Sequence, residues 1–300
     1  MMKTLFNVTL RNLKVFFKDK GMFFSSLITP IILLVLYATF LANVYKDSFA
    51  SALPEGLVID QKIIDGMVTG QLISSLLAVS CVTVSFCANL LMIQDKASGT
   101  LVDFTVTPVK RSLLGAAYYI ASACSTLIVT FTAMAVSLGY LATQGWYMSL
   151  GDVLCVIADV FFLTLFGTAL SSCINFFLNT NGQASAVGTI ISAGYGFICG
   201  AYMPISSFGK GLQKVLMFLP GTHGTSLLKE HLMRGVLEEM KGIGFPDEVI
   251  TGIRDSVDCN IYFFGTLIPA SVKGAVLIGS VALFTGLFVL FNVFGKKRGK

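Results

Sequence analysis

The 300-residue chain lacks the motifs of nucleotide-binding proteins and hydrolases. It has no GxxxxGK[ST] phosphate loop, no HExxH or GxSxG motif and no CxxC pair. We therefore expect it to be no enzyme and to hold no cofactor. Its two histidines, His223 and His231, have no further metal ligands nearby in the sequence. We interpret them as side chains at a membrane interface rather than as metal ligands.

Charged residues are also scarce, at 12% of the chain, whereas 55% of the residues are hydrophobic and the mean hydropathy is +0.80. A water-soluble domain of ordinary surface-to-volume ratio does not have this composition. The net charge of +5 is not spread over one surface but concentrated near the chain ends and one loop. This pattern argues against nucleic-acid binding.

Cysteine usage excludes a disulfide framework. Six of the seven cysteines lie inside apolar stretches, where they are expected to pack as small apolar residues. Cys259 is the exception and has no partner in its own loop. A bond from Cys259 to Cys155, or between two protomers, stays open at this point.

Six apolar stretches are long enough to cross a bilayer, since about 20 helical residues cross a hydrocarbon core of about 30 Å. The sequence predicts one all-α transmembrane domain over residues 1–300. The predicted spans are 22–43, 67–93, 112–142, 152–178, 184–203 and 273–294.

Charge asymmetry predicts the orientation. The N-terminal segment, the loop after the second span and the C-terminal tail contain twelve basic residues but only three acids, Asp19, Asp95 and Asp103. Cytoplasmic loops carry such an excess of lysine and arginine. We therefore expect a multi-pass plasma-membrane protein with both termini in the cytoplasm.

Residues 1–20 are predicted to form an interfacial amphipathic helix. Phe6, Leu10, Leu13 and Phe17 share one face, and a second stripe of Asn7, Arg11, Lys14 and Lys18 follows one residue later. Such helices lie in the headgroup region with the apolar face toward the acyl chains. The helix serves either as an anchor alone or also as a docking surface for a cytoplasmic partner.

Residues 94–111 form a short polar segment between the second and third spans. It contains Asp95, the triplet Gly99, Thr100 and Leu101, and the pair Thr107 and Pro108. This pattern resembles the cytoplasmic loop of the type-2 ABC exporter permease family, which has an acidic residue, then Gly-Thr-Leu, then Thr-Pro. The chain departs from the family in having Asp95 where Glu is usual, and Ala97 and Val102 at positions that are often acidic.

The loop after the fifth span strengthens the resemblance, which covers essentially the whole chain. It begins with Met203-Pro204-Ile205 and contains Leu219-Pro220-Gly221-Thr222-His223. In the family, this region forms two short re-entrant helices that close the path from outside. The resemblance thus implies an extracytoplasmic loop over 204–272, with an outer gate of Pro204, Phe208, Leu212, Leu216, Phe218 and Pro220.

The resemblance further implies a coupling site for a separate ATPase with a phosphate loop, which would bind the ATP and Mg²⁺. The residues expected there are Arg11, Lys14, Asp95, Gly99, Thr100 and Pro108. A second permease subunit, identical or different, would complete the path within the lipid bilayer.

Asp159 is the ionisable residue placed deepest in a predicted span. A carboxylate at mid-membrane costs about 2.5–3.5 kcal/mol, so it usually marks a path or a partner. Two interpretations stay open: a functional residue, or one shallow enough to meet water. Lys273, at the outer start of the sixth span, is a candidate for pairing with it.

The sequence thus favours the membrane subunit of an ATP-driven exporter of a drug, antibiotic, peptide or lipid-like substrate. The alternatives are an ion-coupled secondary transporter, an exporter of a lipid-linked glycan, or a membrane scaffold that does not transport. A secondary transporter is expected to show paired broken helices and several buried charges, and Asp159 alone gives it little support.

Overall fold

The computed structural model describes residues 2–37, 39, 60–105 and 109–294. They form an almost entirely helical bundle, in agreement with the predicted all-α class. The helices are α1 Met2–Lys18, α2 Lys20–Leu36, α3 Gln61–Ala97, α4 Thr100–Thr105, α5 Arg111–Gln144, α6 Leu150–Phe176, α7 Asn181–Ile198, α8 Lys210–Leu216, α9 Pro220–Gly242, α10 Asp247–Ser256 and α11 Ala270–Phe294. A 3-10 turn covers Ile205–Ser207, and a small hairpin pairs β1 Tyr262–Phe263 with β2 Thr266–Leu267.

Four of the predicted spans are confirmed as helices long and apolar enough to cross a membrane, namely α3, α5, α6 and α11. α1 and α2 meet at a bend of 74° and qualify as one further crossing if they are counted together. The predicted first span extends beyond α2 into residues outside the described part of the chain. The predicted fifth span corresponds to α7, an 18-residue helix that is not among the four long and apolar enough to cross a membrane.

The 37-residue helix α3 is the centre of the bundle and packs against α2, α5, α6, α7 and α9. It is buried on all sides although it carries several hydroxyl groups. These groups donate back to carbonyls one turn earlier, as Ser80 does to Leu76 and Thr83 to Val79. Because these hydroxyl groups are satisfied within the helix, they can be packed without water.

Small residues let the central helices approach closely. A Cβ on Gly167 of α6 would lie 2.8 Å from the carbonyl oxygen of Cys81 on α3. Glycines at helix crossings allow this backbone contact because they have no side chain. Asn89 of α3 then reaches α6 and donates to the Thr168 carbonyl at 3.3 Å and to Ser172 Oγ at 3.1 Å. The α3–α6 contact is therefore a tight and polar seam.

The cysteines take no part in disulfides. All seven are free thiols, and Cys259 is fully buried beside α9 rather than available to another protomer. Its carbonyl oxygen accepts a hydrogen bond from Ser226 Oγ at 3.1 Å. The bond from Cys259 to Cys155 is thus not formed in this structure.

Candidate coupling site and outer ionic cluster

α1 is joined to the bundle through a buried face that the amphipathic pattern did not predict. Val8, Asn12 and Phe16 are buried, and α1 packs along α5. Phe6 and Leu10, which belong to the predicted lipid-facing stripe, are exposed. The helix thus has one face for the bundle, and the predicted apolar stripe lies on its outer surface.

Arg11 leaves α1 to bind Asp95 near the end of α3. The guanidinium forms two hydrogen bonds with the carboxylate, one from Nη1 to Oδ2 and one of 3.1 Å from Nη2 to Oδ1. Tyr118 of α5 donates its hydroxyl to Asp95 Oδ2 at 2.5 Å. A bidentate arginine–carboxylate pair fixes orientation as well as distance. One carboxylate therefore ties three helices together, and we name this group the Asp95 joint.

The Asp95 joint corrects one expectation from the sequence. Asp95 was among the residues expected at the ATPase coupling site, but it is buried and both of its carboxylate oxygens are used within the chain. Its position therefore suits holding α1 against α3 and α5, not direct contact with a partner.

Beyond the Asp95 joint, the chain turns at Gly99 into the short helix α4. Gly99 has a φ of +82°, a conformation that residues with a Cβ rarely adopt. Thr100 begins α4, and its Oγ1 lies 2.9 Å from Ser98 Oγ. Leu101 packs on the cluster around Phe16, whereas Asp103 is exposed.

Two predicted coupling residues remain, Lys14 and Pro108. Lys14 is exposed on α1. Pro108 lies outside the described residues. Lys96, which the sequence did not single out, donates its Nζ to the carbonyls of Asn175, Phe176 and Leu178 at the end of α6. A lysine at this place satisfies carbonyls that have no partner within the helix.

At the opposite end of α3, helix α9 carries a series of ion pairs that we name the outer ionic cluster. His231 Nδ1 lies 2.6 Å from Asp159 Oδ2 on α6. Arg234 Nη2 lies 2.5 Å from Asp152 Oδ1, also on α6. Glu230 binds both Lys273 of α11 at 2.8 Å and Arg254 of α10 at 3.0 Å. Charged groups thus connect α9 to three neighbouring helices.

The predicted ion pair between Asp159 and Lys273 does not form. Each residue is buried, but each pairs with a neighbouring position on α9, Asp159 with His231 and Lys273 with Glu230. Lys273 also donates to the Cys259 carbonyl at 2.7 Å. The sequence predicted only a short re-entrant helix at the start of α9, and it indicated no partners for the charges that follow. The available signal was the close spacing of Lys229, Glu230, His231 and Arg234 after an apolar run.

Two pKa shifts in the outer ionic cluster follow from its geometry. Burial lowers the pKa of His231, but the hydrogen bond to Asp159 and its charge raise it by more, so the pKa lies above the ordinary 6.5. Burial raises the pKa of Glu230, but Lys273 and Arg254 lower it to below 4.5. Glu230 is therefore ionised at neutral pH, and His231 keeps its proton to a higher pH than an unperturbed imidazole does.

The predicted outer gate differs from expectation in length. α8 has seven residues, but the helix that begins at Pro220 has 23 and continues to Gly242. The helix continues because no second proline interrupts it after the one at N1. Its N-terminal part is buried inside the bundle, where a Cβ on Gly224 would lie 2.7 Å from Leu163 Cδ1.

The predicted gate residues divide into buried and exposed ones. Leu216 is only 4% exposed and packs with Ile205, Met217, Ile261 and Ile268. Phe208 is partly buried against the same cluster, and Pro204 precedes the 3-10 turn. Leu212 and Phe218 are exposed. The single chain therefore leaves Leu212 and Phe218, but not Leu216, open to a second subunit or to lipid.

The described residues contain no group of three or more His, Cys, Asp or Glu side chains that could hold a metal ion.

Comparison with known proteins gives one family. A family model described as ABC-2 type transporter matches residues 4–232. No curated protein matches the chain.

Proposed function

This chain belongs to the ABC-2 type transporter family, and from that premise we propose that it forms the translocation path of an ATP-driven exporter. It is an integral membrane subunit of an ABC transporter. In our proposal a separate phosphate-loop ATPase binds ATP and Mg²⁺, and a second permease subunit completes the path. The family match does not favour the ion-coupled alternative.

The observation that carries the coupling proposal is the Asp95 joint. Arg11 and Tyr118 hold α1, α3 and α5 through one buried carboxylate, immediately before the Gly99 turn and α4. A force applied to α1 or α4 would reach two long helices through charged hydrogen bonds, which keep their geometry better than flexible apolar contacts. We propose that the ATPase docks on the exposed parts of α1 and α4, including Lys14 and Asp103.

The proposal includes six crossings with both termini in the cytoplasm. α7 would be the fifth crossing, and its small residues would pack along α3 rather than face lipid. The N-terminal part of α9, with α8 and the 3-10 turn, would form the re-entrant outer gate. Irregular backbone at membrane depth is stable only inside protein or beside water, and the burial of residues 221–228 supports this placement.

The substrate class remains part of the proposal. The family resemblance favours a drug, antibiotic, peptide or lipid-like molecule, with a lipid-linked glycan as the alternative.

The docking proposal is tested by photo-crosslinking in native membranes. A benzoylphenylalanine at Asp103 on α4 should crosslink to a phosphate-loop ATPase, whereas one at the exposed Glu248 on α10 should not. Crosslinking of the ATPase from Glu248, or its absence from Asp103 in correctly inserted protein, would contradict the proposal.

The orientation is tested separately by cysteine labelling in a background without reactive native thiols. A cysteine at Glu238, which is 73% exposed at its side chain, should react with an impermeant reagent outside intact cells. A cysteine at Ser98 should react only after the membrane is opened. The reverse pattern would invert the proposed topology.

A further inference from the structure

A pocket of about 530 Å³ lies between α8, the loop after α10 and the β-hairpin. It contains no residue of the Asp95 joint or of the outer ionic cluster, although Asp258 in its wall pairs with Lys229 of α9. Two lysines, Lys210 and Lys214, line one side, and the hairpin residues Phe263 and Phe264 line another. Asp255 and Asp258 also reach the pocket. The pocket therefore combines cationic and aromatic walls.

The carboxylates of the pocket are already engaged. Asp258 lies 3.3 Å from Lys229 Nζ and accepts from the Ile205 amide at 2.9 Å. Asp255 accepts from Asn260 Nδ2 at 2.8 Å and from the Tyr262 hydroxyl at 2.9 Å. These contacts engage both carboxylates within the chain, although Asp255 Oδ2 keeps accepting capacity, and the two lysines are the charged donors of the pocket wall.

Lys210 and Lys214 are exposed on one face of α8, one helical turn apart. Neither forms a salt bridge with any residue in the described ranges. Lys214 Nζ lies 5.7 Å from the centre of the Phe264 ring, a separation typical of a cation–π contact. Two adjacent ammonium groups of this kind are complementary to a phosphate.

The hairpin tip places an apolar group beside these lysines. Phe264 and Gly265 form the turn with φ values of 49° and 87°. A positive φ is unfavourable for a bulky residue and common for glycine. The Phe264 side chain is nevertheless 69% exposed, and the neighbouring Leu267 is exposed as well. A strained turn that presents a phenyl ring to the surroundings suits contact with acyl chains.

The position of the hairpin matches the edge of a bilayer. β2 ends at Leu267, and α11 begins at Ala270. The 25 residues of α11 extend about 37 Å, so they exceed a hydrocarbon core of about 30 Å. The hairpin therefore lies at headgroup level, where lysine ammonium groups meet phosphates and aromatic rings meet the upper acyl chains.

We infer that this pocket binds the phosphate of a phospholipid headgroup, with Lys210 and Lys214 on the phosphate and Phe264 against the acyl chains. On the proposed topology, the lipid belongs to the outer leaflet. The inference needs the chain to sit in a bilayer, as its family does, but it needs neither a particular substrate nor the docking of an ATPase.

The test is native mass spectrometry of the purified full-length chain with added lipids. Wild type should retain dioleoylphosphatidylglycerol but not dioleoylglycerol, which has the same chains without phosphate. The double variant Lys210→Gln/Lys214→Gln should bind the phospholipid on the order of tenfold more weakly, because two charged contacts are lost. The matched control Lys62→Gln/Lys241→Gln removes the same charge at exposed positions and should bind as wild type does.

Thermal unfolding of each variant in detergent verifies that the fold is intact. The inference is wrong if the Lys210/Lys214 variant retains phospholipid as wild type does, or if the control pair loses it equally. It is also wrong if dioleoylglycerol binds as well as the phospholipid. Displacement by equimolar glycerol 3-phosphate would overturn the lipid assignment in favour of a free phosphate site. Because no transport or ATPase activity is measured, the proposed exporter function is not at stake.

Discussion

His231 on α9 and Asp159 on α6 share a contact of 2.6 Å between Nδ1 and Oδ2 within the bundle. The sequence places these residues 72 positions apart. Their contact fixes the long helix of the proposed outer gate to a helix that crosses the membrane.

The first prediction concerns the pH dependence of this contact. The pKa of His231 is raised above 6.5 in the fold, so its contribution to stability is complete below pH 6.5 and is lost as the pH rises through the folded-state pKa. Wild type should therefore be stabilised relative to His231→Asn at low pH, and the difference in thermal unfolding temperature should shrink as the pH rises.

His223 provides an internal control for this prediction. Burial lowers the pKa of His223 below 6.5, so protonation costs stability as the pH falls. His223→Asn should therefore be stabilised relative to wild type at low pH. This effect is opposite in sign to that of His231→Asn. A His231→Asn difference that grows with pH would contradict the assigned ion pair.

The second prediction concerns the Asp95 joint. Asp95→Asn removes the charge that faces Arg11 and weakens the hydrogen bond from Tyr118, and it should cost about 1–3 kcal/mol of stability. Coupled ATP hydrolysis in proteoliposomes should fall more strongly than membrane insertion. Asp103→Asn, on the exposed face of α4, is the matched control for stability. Equal thermal stability of the two variants would show that the Asp95 contacts do not hold the helices.

The third prediction separates backbone conformation from bulk at Gly99. Nothing lies within 4 Å of a Cβ at this position, so the constraint is the φ of +82° and not space. Asn tolerates left-handed backbone better than Val does. Gly99→Asn should retain coupled ATP hydrolysis, and Gly99→Val should reduce it. If both variants lose it equally in folded protein, the turn conformation is not what coupling requires.

The fourth prediction uses two glycines with opposite surroundings. A Cβ on Gly235 of α9 would lie 2.0 Å from the Tyr147 carbonyl oxygen, whereas nothing lies within 4 Å of one on Gly274 of α11. Gly235→Ala should destabilise the fold by about 1–3 kcal/mol through overpacking. Gly274→Ala should be neutral or stabilise it by up to about 1 kcal/mol through helix propensity. Thermal unfolding in detergent measures both, and the reverse order would argue against the α9 packing.

The fifth prediction distinguishes two residues of the proposed gate. Leu216→Ser should destabilise the fold by about 2–5 kcal/mol because Leu216 is buried within its own chain. Phe218, 64% exposed, should accept Ser with little loss of stability. If it seals a gate between two subunits, proteoliposomes with Phe218→Ser should leak small dyes. Leakage equal to wild type in folded protein would remove Phe218 from the gate.

The sequence by itself determined the membrane class, the positions of α3, α5, α6 and α11, and the resemblance to a family that the comparison confirmed. Long apolar runs carry this information locally, because each must bury about 20 residues from water whatever surrounds it.

Only the tertiary structure decided which charges meet. Asp95 faces Arg11 and Tyr118 instead of a partner, and Asp159 faces His231 instead of Lys273. The sequence predicted a short helix after Pro220 but not its continuation to Gly242, because the partners of its charged residues lie on α6, α10 and α11. A buried charge is stable only opposite its counterion, and that pairing depends on packing between distant segments.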